Sequence, residues 1–318
     1  MPIPSLFNPS NDMALASNLR QYSPPKRIQQ MEADLAELAR LWDGTRLSGP
    51  WGWSLATKRR YRQMGVGEAE LPTDEWLAEV RRLSSREYAC EYLQNLLRHF
   101  GDERLLGHEM RFHTAVEEPL EKGLIFKSPW SSSGRGIFTS ANLSTEQIRT
   151  RLQGFVNAQG GYVADRFYAN KTQDLALEFF VEKNHQVDFL GYSVFHTGEN
   201  GTYGYNLVES QEQLRSRIGF DKDLLSRLID YHKTHLGQTA YHGPVGIDML
   251  LASVPSSGSL RLHPVVEINF RMNMGILALL LYQRYGPNAN VQLTPSRTEG
   301  FEARVTEGTV RIIHHNPF

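Results

Sequence analysis

The 318-residue chain holds a single cysteine, Cys90, so it has no intramolecular disulfide and is best suited to a reducing compartment. Net charge is nearly absent. Lysine and arginine number 34 against 35 aspartates and glutamates, giving a formal charge of −1, which argues against a general nucleic-acid binder. Long apolar runs are missing too. GILALLLY at 275–282 is far too short to span a bilayer. The opening MPIPSLFNPSNDMALA has neither the basic nor the apolar region of a secretory signal. The expectation is a cytoplasmic protein with no nucleic-acid or membrane partner. No internal repeat or low-complexity tract stands out.

What is present is a core-forming composition, 40% hydrophobic and 22% charged. The first 83 residues lack a βαβ opening with a glycine fingerprint and read as a short N-terminal domain. Within them NPSND (8–12) is a turn cluster able to cap a helix near Met13, and SPPKRIQQMEADLAELARLW runs into a helix. The basic run KRRYRQ (58–63) reads as a solvated helix or loop face. Residues 71–83 and 84–101 are predicted helices, capped by Thr73 or Asp74 and by Ser84 or Ser85, and Gly101 ends the second.

Short strands follow at 111–116 and 123–128, then a helix at 143–160. Further strands are predicted at 161–168, 174–182, 187–197 and 201–208. A capped helix covers 221–237, a strand pair 243–252 and 261–270, and a buried helix 273–286. Runs of hairpin-linked strands between helices predict an α+β fold, not a parallel doubly wound sheet.

Two constellations carry chemistry. In KSPWSSSGRG (127–136) Lys127 precedes the glycines. A Walker A loop has its lysine after them, and a kinase glycine loop has it on the following strand. What remains is a strand ending in lysine, then a small-residue hairpin. The lysine suits an inner phosphate as a point charge, and the hairpin N–H groups suit the outer ones. An ordinary serine-glycine turn is the competing reading. The second constellation is Asp248 in GIDMLL with Glu267 and Asn269 in VVEINF. Residues two apart in a strand share a face, so Glu267 and Asn269 can meet Asp248 from a paired strand. Three oxygen ligands between apolar neighbours suit Mg²⁺. The competing reading is a polar edge strand facing water.

LIFKSPWSSSGRGI followed far downstream by GIDMLL and VVEINFRMNMG resembles the ATP-grasp superfamily over about residues 84–286. The resemblance implies an ATP-grasp fold of two α+β lobes with the nucleotide between them: an ATP-grasp domain at 84–318, its small lobe about 84–168 and its large lobe about 169–318, after the N-terminal domain at 1–83. It implies ATP and Mg²⁺ (Mn²⁺ in its place) as cofactors, with Asp248, Glu267 and Asn269 as metal ligands. Arg271 resembles the arginine that contacts a γ-phosphate or acyl-phosphate in some members, and it is assigned a catalytic role with Lys127. Lys127 and the loop residues Ser131, Ser132, Ser133, Gly134, Arg135 and Gly136 are expected to bind the phosphates. The family's adenine hinge resembles YVADRFY (162–168), with Asp165 in the acid's place and Phe167 among the nucleotide-binding residues. Asp174 resembles the acid that holds the ribose, although a plain strand-end role stays open for both acids. A lysine usually opens the helix before the phosphate loop. Here Arg86 stands in its place and is able to pair with phosphate bidentately.

The implied activity is a ligase that activates a carboxylate as an acyl-phosphate for an amine, thiol or similar nucleophile, with small-molecule carboxylate and amine substrates. Phosphoryl transfer to a small molecule, and nucleotide binding without turnover, are the alternatives, and a homodimer stays open. No covalent nucleophile is needed, so Cys90 and the histidines, including HKTH (232–235), are given no catalytic role. NPSND is read as either an anion-binding turn or a plain cap, and GENGTYGYN (198–206) as either a lid or a hairpin.

Overall fold

The computed structural model describes residues 3–117, 120–131, 136–198, 201–254 and 256–315. The N-terminal part is helical: α1 (Asn11–Ser17), α2 (Lys26–Asp34), α3 (Leu55–Gln63), α4 (Asp74–Leu83) and α5 (Arg86–Phe100). The Thr73 and Ser85 side chains cap α4 and α5, and Gly101 leaves α5 in the left-handed region at φ 55°. The helix expected across residues 26–42 breaks after Asp34 and continues as a 3₁₀ turn, Ala36–Leu41.

A four-stranded sheet is built from β1 (Arg111–His113), β2 (Leu124–Lys127), β3 (Ile137–Thr139) and β4 (Tyr162–Arg166), with α6 (Thr145–Gln159) between the last two. Its order is β1-β4-β2-β3. Ser144 and Gln147 form the full capping box that starts α6.

The larger sheet takes β5 (Lys171–Val181), β6 (Val187–Thr197) and β7 (Tyr203–Leu207). After α7 (Gln211–Ile218) and α8 (Lys222–Leu236) come β8 (Gly243–Ser253) and β9 (Leu260–Asn269). Helix α9 (Met274–Tyr285) then leads to β10 (Val291–Gln292), β11 (Gly300–Thr306) and β12 (Thr309–His315). The order of the eight strands is β10-β11-β12-β7-β6-β5-β8-β9, and every pair is antiparallel. The architecture is therefore α+β. Helices α3 and α7 and the strand pair β11–β12 were not anticipated.

Three apolar clusters hold these parts together. One packs α5 and α8 against one face of the large sheet, through Leu93, Leu96, Leu228, Leu177, Phe179 and Ile247. A second gathers Phe7, Leu38, Trp42 and Trp51 with Ile276 and Leu281 of α9 and Phe301 and Val305 of β11. The third sits under α6 on the small sheet. No cluster among the described residues belongs to 1–83 alone: Trp42 is fully buried against the C-terminal half, while Val80 and Leu83 join the α5 cluster. Likewise α5, expected in the small lobe, packs against both sheets, on β9 of the large one and on β1 and β4 of the small one, through Leu93 and Leu96 among others. Among the described residues no helix is long and apolar enough to cross a membrane.

Candidate active site

The floor of the site follows from strand alternation. On β5, Asp174, Ala176 and Glu178 share one face. The register sets Asp248 of β8 between Ala176 and Glu267 of β9. In the next row Gly246 lies between Glu178 and Asn269. Asp248 and Glu267 are thus directly opposed, and Asn269 Nδ2 donates to Asp248 Oδ2 at 3.1 Å. Burial, then the Glu267 and Glu178 carboxylates, push the Asp248 carboxyl well above its usual range. Glu178 is likewise pushed up by burial, to about 7, against hydrogen bonds from Asn273 and Ser193. Two acids, Asp248 and Glu267, are opposed here with Glu178 one row away, and the opposed pair is an arrangement that a bound cation would relieve.

Arg86 does not stand free to meet a phosphate. It is 2% exposed, and its Nη2 lies 2.9 Å from both Glu267 carboxylate oxygens. Its Nη1 donates to the Ser128 carbonyl at 2.7 Å and to Ser131 Oγ at 2.8 Å. The guanidinium expected to pair with phosphate is here engaged by protein acceptors. The residue that opens α5 ties Ser128 and Ser131 to an acid of the floor, because a guanidinium can bridge several acceptors at once. Ser131 is correspondingly buried, its hydroxyl committed to Arg86. Gly136 turns the chain back at φ 68°, and its carbonyl accepts from the Ser128 N–H at 2.8 Å. Ser132, Ser133, Gly134 and Arg135 lie outside the described residues.

The small sheet supplies the facing wall. Lys127 ends β2 and lines the cleft, its Nζ 3.9 Å from Asp165 Oδ2. Asp165 is 3% exposed, and His263 Nε2 of β9 lies 3.3 Å from the same oxygen. Burial works against the charged form of Asp165, but His263, Lys127 and the Arg166 N–H together hold the carboxyl below its ordinary value. Asp165 therefore joins the two sheets as well as lining the cleft. Phe167 is exposed at the cleft rim, its N–H bonded to the Gly123 carbonyl. Asp174 also lines the cleft, but Lys171 Nζ, Thr197 Oγ1 and the Thr197 N–H all bond to its Oδ2 at 2.7, 2.7 and 3.2 Å.

Arg271 is engaged by a residue from the other end of the chain. Its Nε and Nη2 donate to the two Asp12 oxygens at 2.9 and 2.7 Å, and Nη1 donates to the Met272 carbonyl at 3.1 Å. NPSND thus reaches the site through Asp12. Its asparagines serve the local fold instead: Asn8 Nδ2 donates to the Gly52 carbonyl and Thr57 Oγ1, and the Asn11 amide is satisfied by the Gly52 and Trp53 carbonyls.

Other singled-out segments have structural roles. Lys58 of the basic run is buried between Asp74 at 2.8 Å and Glu68 at 3.2 Å, and Tyr61 is fully buried. His232 is fully buried, with Nδ1 2.8 Å from the Tyr92 hydroxyl, and His235 stacks on Tyr231. Cys90 is buried, its thiol pushed up to about 12 by desolvation first. In GENGTYGYN, residues 199 and 200 lie outside the described residues, whereas Gly201, Tyr203 and Asn206 line the cleft. Asp12, Glu178 and His263 were missed in the sequence. For Glu178 a signal existed: it is the lone acid inside the apolar run LALEFF, two strand periods from Asp174.

The acids and amide of the floor, with Arg86, Lys127, Asp165, Asp174 and Arg271, border one cleft of about 560 Å³ between the two sheets, a volume suited to a nucleotide-sized ligand. No protein-family model matches the chain, and no curated protein matches it. Solved structures do. Pyruvate carboxylase from Rhizobium etli is similar at TM-score 0.50 and 13% identity, over 88% of this chain and 27% of that one. Biotin carboxylase from Campylobacter jejuni gives 0.48 and 12%, over 88% and 70%. The biotin carboxylase domain of Hydrogenobacter thermophilus 2-oxoglutarate carboxylase gives 0.40 and 10%, over 64% and 45%. The chain therefore spans under half the length of two of these three. At such identities the likeness is one of fold, and the fold is the ATP-grasp fold.

Proposed function

We propose that the chain is an ATP- and Mg²⁺-dependent ligase that phosphorylates a carboxylate and passes the acyl group to an amine. The observation that carries this reading is the direct opposition of Asp248 and Glu267, with Asn269 beside them, in a cleft whose other wall presents Lys127. A carboxylate and a triphosphate repel each other, so their reaction needs concentrated positive charge. The donor set fits a hard cation: carboxylate and amide oxygens on a floor where uncompensated acids are costly. Asp248, Glu267 and Asn269 would hold Mg²⁺, or Mn²⁺ in its place, and the bound ion would neutralise phosphate charge.

The chain's own residues supply the rest. Lys127 takes an inner phosphate, and the hairpin from Ser131 to Gly136, with Ser132, Ser133, Gly134 and Arg135, closes over the outer ones. Phe167 and Asp165 border the base and Asp174 the ribose. Arg86 positions Glu267 and the hairpin together. Arg271 offers its guanidinium to the transferred phosphoryl group or to the acid when Asp12 releases it. The acid's oxygen attacks the γ-phosphorus and ADP leaves; the amine nitrogen then attacks the carbonyl carbon and phosphate leaves. On this reading the chain is an N-terminal part to residue 83, a small lobe to about 168 and a large lobe beyond.

The test is ADP release from the purified protein with Mg²⁺ and ATP, over a panel of amino acids and small acids, with hydroxylamine as a trap. Acid-dependent hydroxamate supports an acyl-phosphate. A stable phosphorylated product points to a kinase. Nucleotide binding without ADP release for any acid overturns the enzymatic reading.

A further inference from the structure

One carboxyl at the inner end of the cleft is left unused by the chemistry above. Glu178 is 1% exposed and lines the cleft one row beyond Asp248 and Glu267, on the side away from Asp174. Two neutral donors hold it. Ser193 Oγ donates to Oε1 at 2.7 Å and Asn273 Nδ2 to Oε2 at 2.8 Å. The Asn273 oxygen accepts the Ile276 N–H at the start of α9, so its amide nitrogen is fixed toward Glu178. No lysine, arginine or histidine among the described residues forms an ion pair with this carboxyl. The charged groups acting on it are Asp248 from β8 and Arg271 after β9, while β6 and α9 present only Ser193, Gly275 and the cap Asn273.

The space around Glu178 is kept open by two glycines. Neither Gly246 nor Gly275 has a positive φ, so neither backbone conformation demands glycine. A Cβ at Gly275 would collide with Glu178 Oε1 and Ser193 Oγ. One at Gly246 would collide with Asn273 Nδ2 and come within 2.7 Å of Glu178 Oε2. An acid without a cation is costly to bury, yet this one sits in a niche cleared for it beside the reacting groups.

We propose that Glu178, held by Ser193 and Asn273, is the subsite that receives the cationic amino group of the nucleophile and takes its proton. The inference rests on the ligase reading. An incoming ammonium gives one proton to the Glu178 carboxylate, which frees the nitrogen lone pair. That pair forms the C–N bond to the acyl-phosphate carbon, the C–O bond to phosphate breaks with its electrons on phosphate, and the nitrogen's second proton leaves with the phosphate. A thiol brings no cation to pair with this carboxylate, so the niche favours amines.

Glu178→Gln tests this. Glutamine can accept from Asn273 and donate to Ser193 Oγ, so the fold is retained. Amide formation is measured with the common amino acids, methylamine and ammonium chloride as nucleophiles. Hydroxylamine serves in parallel, because it is largely uncharged at neutral pH and needs no proton acceptor. The expected result is a loss of about 10²–10⁴-fold in amide formation, with hydroxamate formation and acid-dependent ADP release within a fewfold of wild type. Equal loss in both assays, or in neither, overturns the assignment of Glu178 while leaving the ligase reading standing. Absence of hydroxamate from the wild type with every acid overturns the ligase reading itself.

Discussion

Arg271 and Asp12 form a two-point ion pair across almost the whole length of the chain, at 2.9 and 2.7 Å. The side chains are 14% and 11% exposed, so the pair is substantially shielded from water. It binds the N-terminal segment to the strand end that carries Asn269. It also occupies the guanidinium that an anionic substrate would seek. A competing anion must displace the Asp12 carboxylate.

Asp12→Asn should therefore separate two effects. Losing the carboxylate leaves Arg271 without its counter-charge, and stability should fall by about 3 kcal/mol. Affinity for inorganic phosphate should rise roughly tenfold, since about 1.4 kcal/mol of competition is removed. Urea denaturation and phosphate titration followed by thermal shift measure the two. Unchanged phosphate affinity would show that Arg271 is purely a clamp.

Arg86→Ala removes the link between Glu267, Ser128 and Ser131. Glu267 is 24% exposed, so water compensates part of the loss, and the expected cost is about 3 kcal/mol. Because Arg86 positions other groups, turnover should fall more than ATP affinity. Arg86→Lys should recover part of the stability and little of the turnover, as an ammonium cannot bridge the same acceptors.

Asp248→Asn should abolish Mg²⁺-dependent turnover while raising the stability of the metal-free protein by about 1 kcal/mol. Burial and its neighbouring carboxylates favour neutral Asp248 in the fold. Its contribution to stability is therefore fully present at low pH and is lost as pH rises toward the raised folded value. The advantage of the asparagine should accordingly grow from pH 5 to pH 8 in chemical denaturation.

His232 sets an acid limit on the fold. Burial first, then His235, lowers its value from 6.5 to about 3. The stability tied to its neutral form is complete above the ordinary histidine value and is lost as pH falls toward the folded one. Between pH 6.5 and 4.5 the loss should be about 2–3 kcal/mol. His232→Gln should flatten that segment of the urea midpoint profile.

Gly275→Ala tests the niche from the backbone side. The added methyl must push aside Glu178 and Ser193, at about 1–3 kcal/mol. Amide formation should fall more than Mg²⁺-ATP binding, because the groups displaced are Glu178 and Ser193 and not Asp248, Glu267 or Asn269.

Much of the local structure was legible because its signals are local. Ser144 with Gln147 marks a capping box, Gly101 a left-handed helix stop, and Glu267-x-Asn269 a shared strand face. Helices α3 and α7 were harder to read, as their polar sequences carry only short apolar repeats. The second strand pair near the end, β11–β12, needed the partner β7 to be recognised as part of a sheet.

By itself, then, the sequence determined the α+β class, the positions of most elements and the set of groups proposed for phosphate and metal chemistry. Tertiary structure decided how those groups are used. The register of β5, β8 and β9 put Asp248 opposite Glu267 and brought Glu178 one row away. Contacts between distant segments committed Arg86 to Glu267, Arg271 to Asp12 and Asp165 to His263. The reason is physical. Capping and strand alternation act within a few residues, whereas the partner of a buried charge is whichever opposite charge the packing brings within reach. So Lys127 with the hairpin after it was visible as a candidate phosphate loop, but its anchor, the Arg86 bridge to the floor of the cleft, existed only in the folded chain.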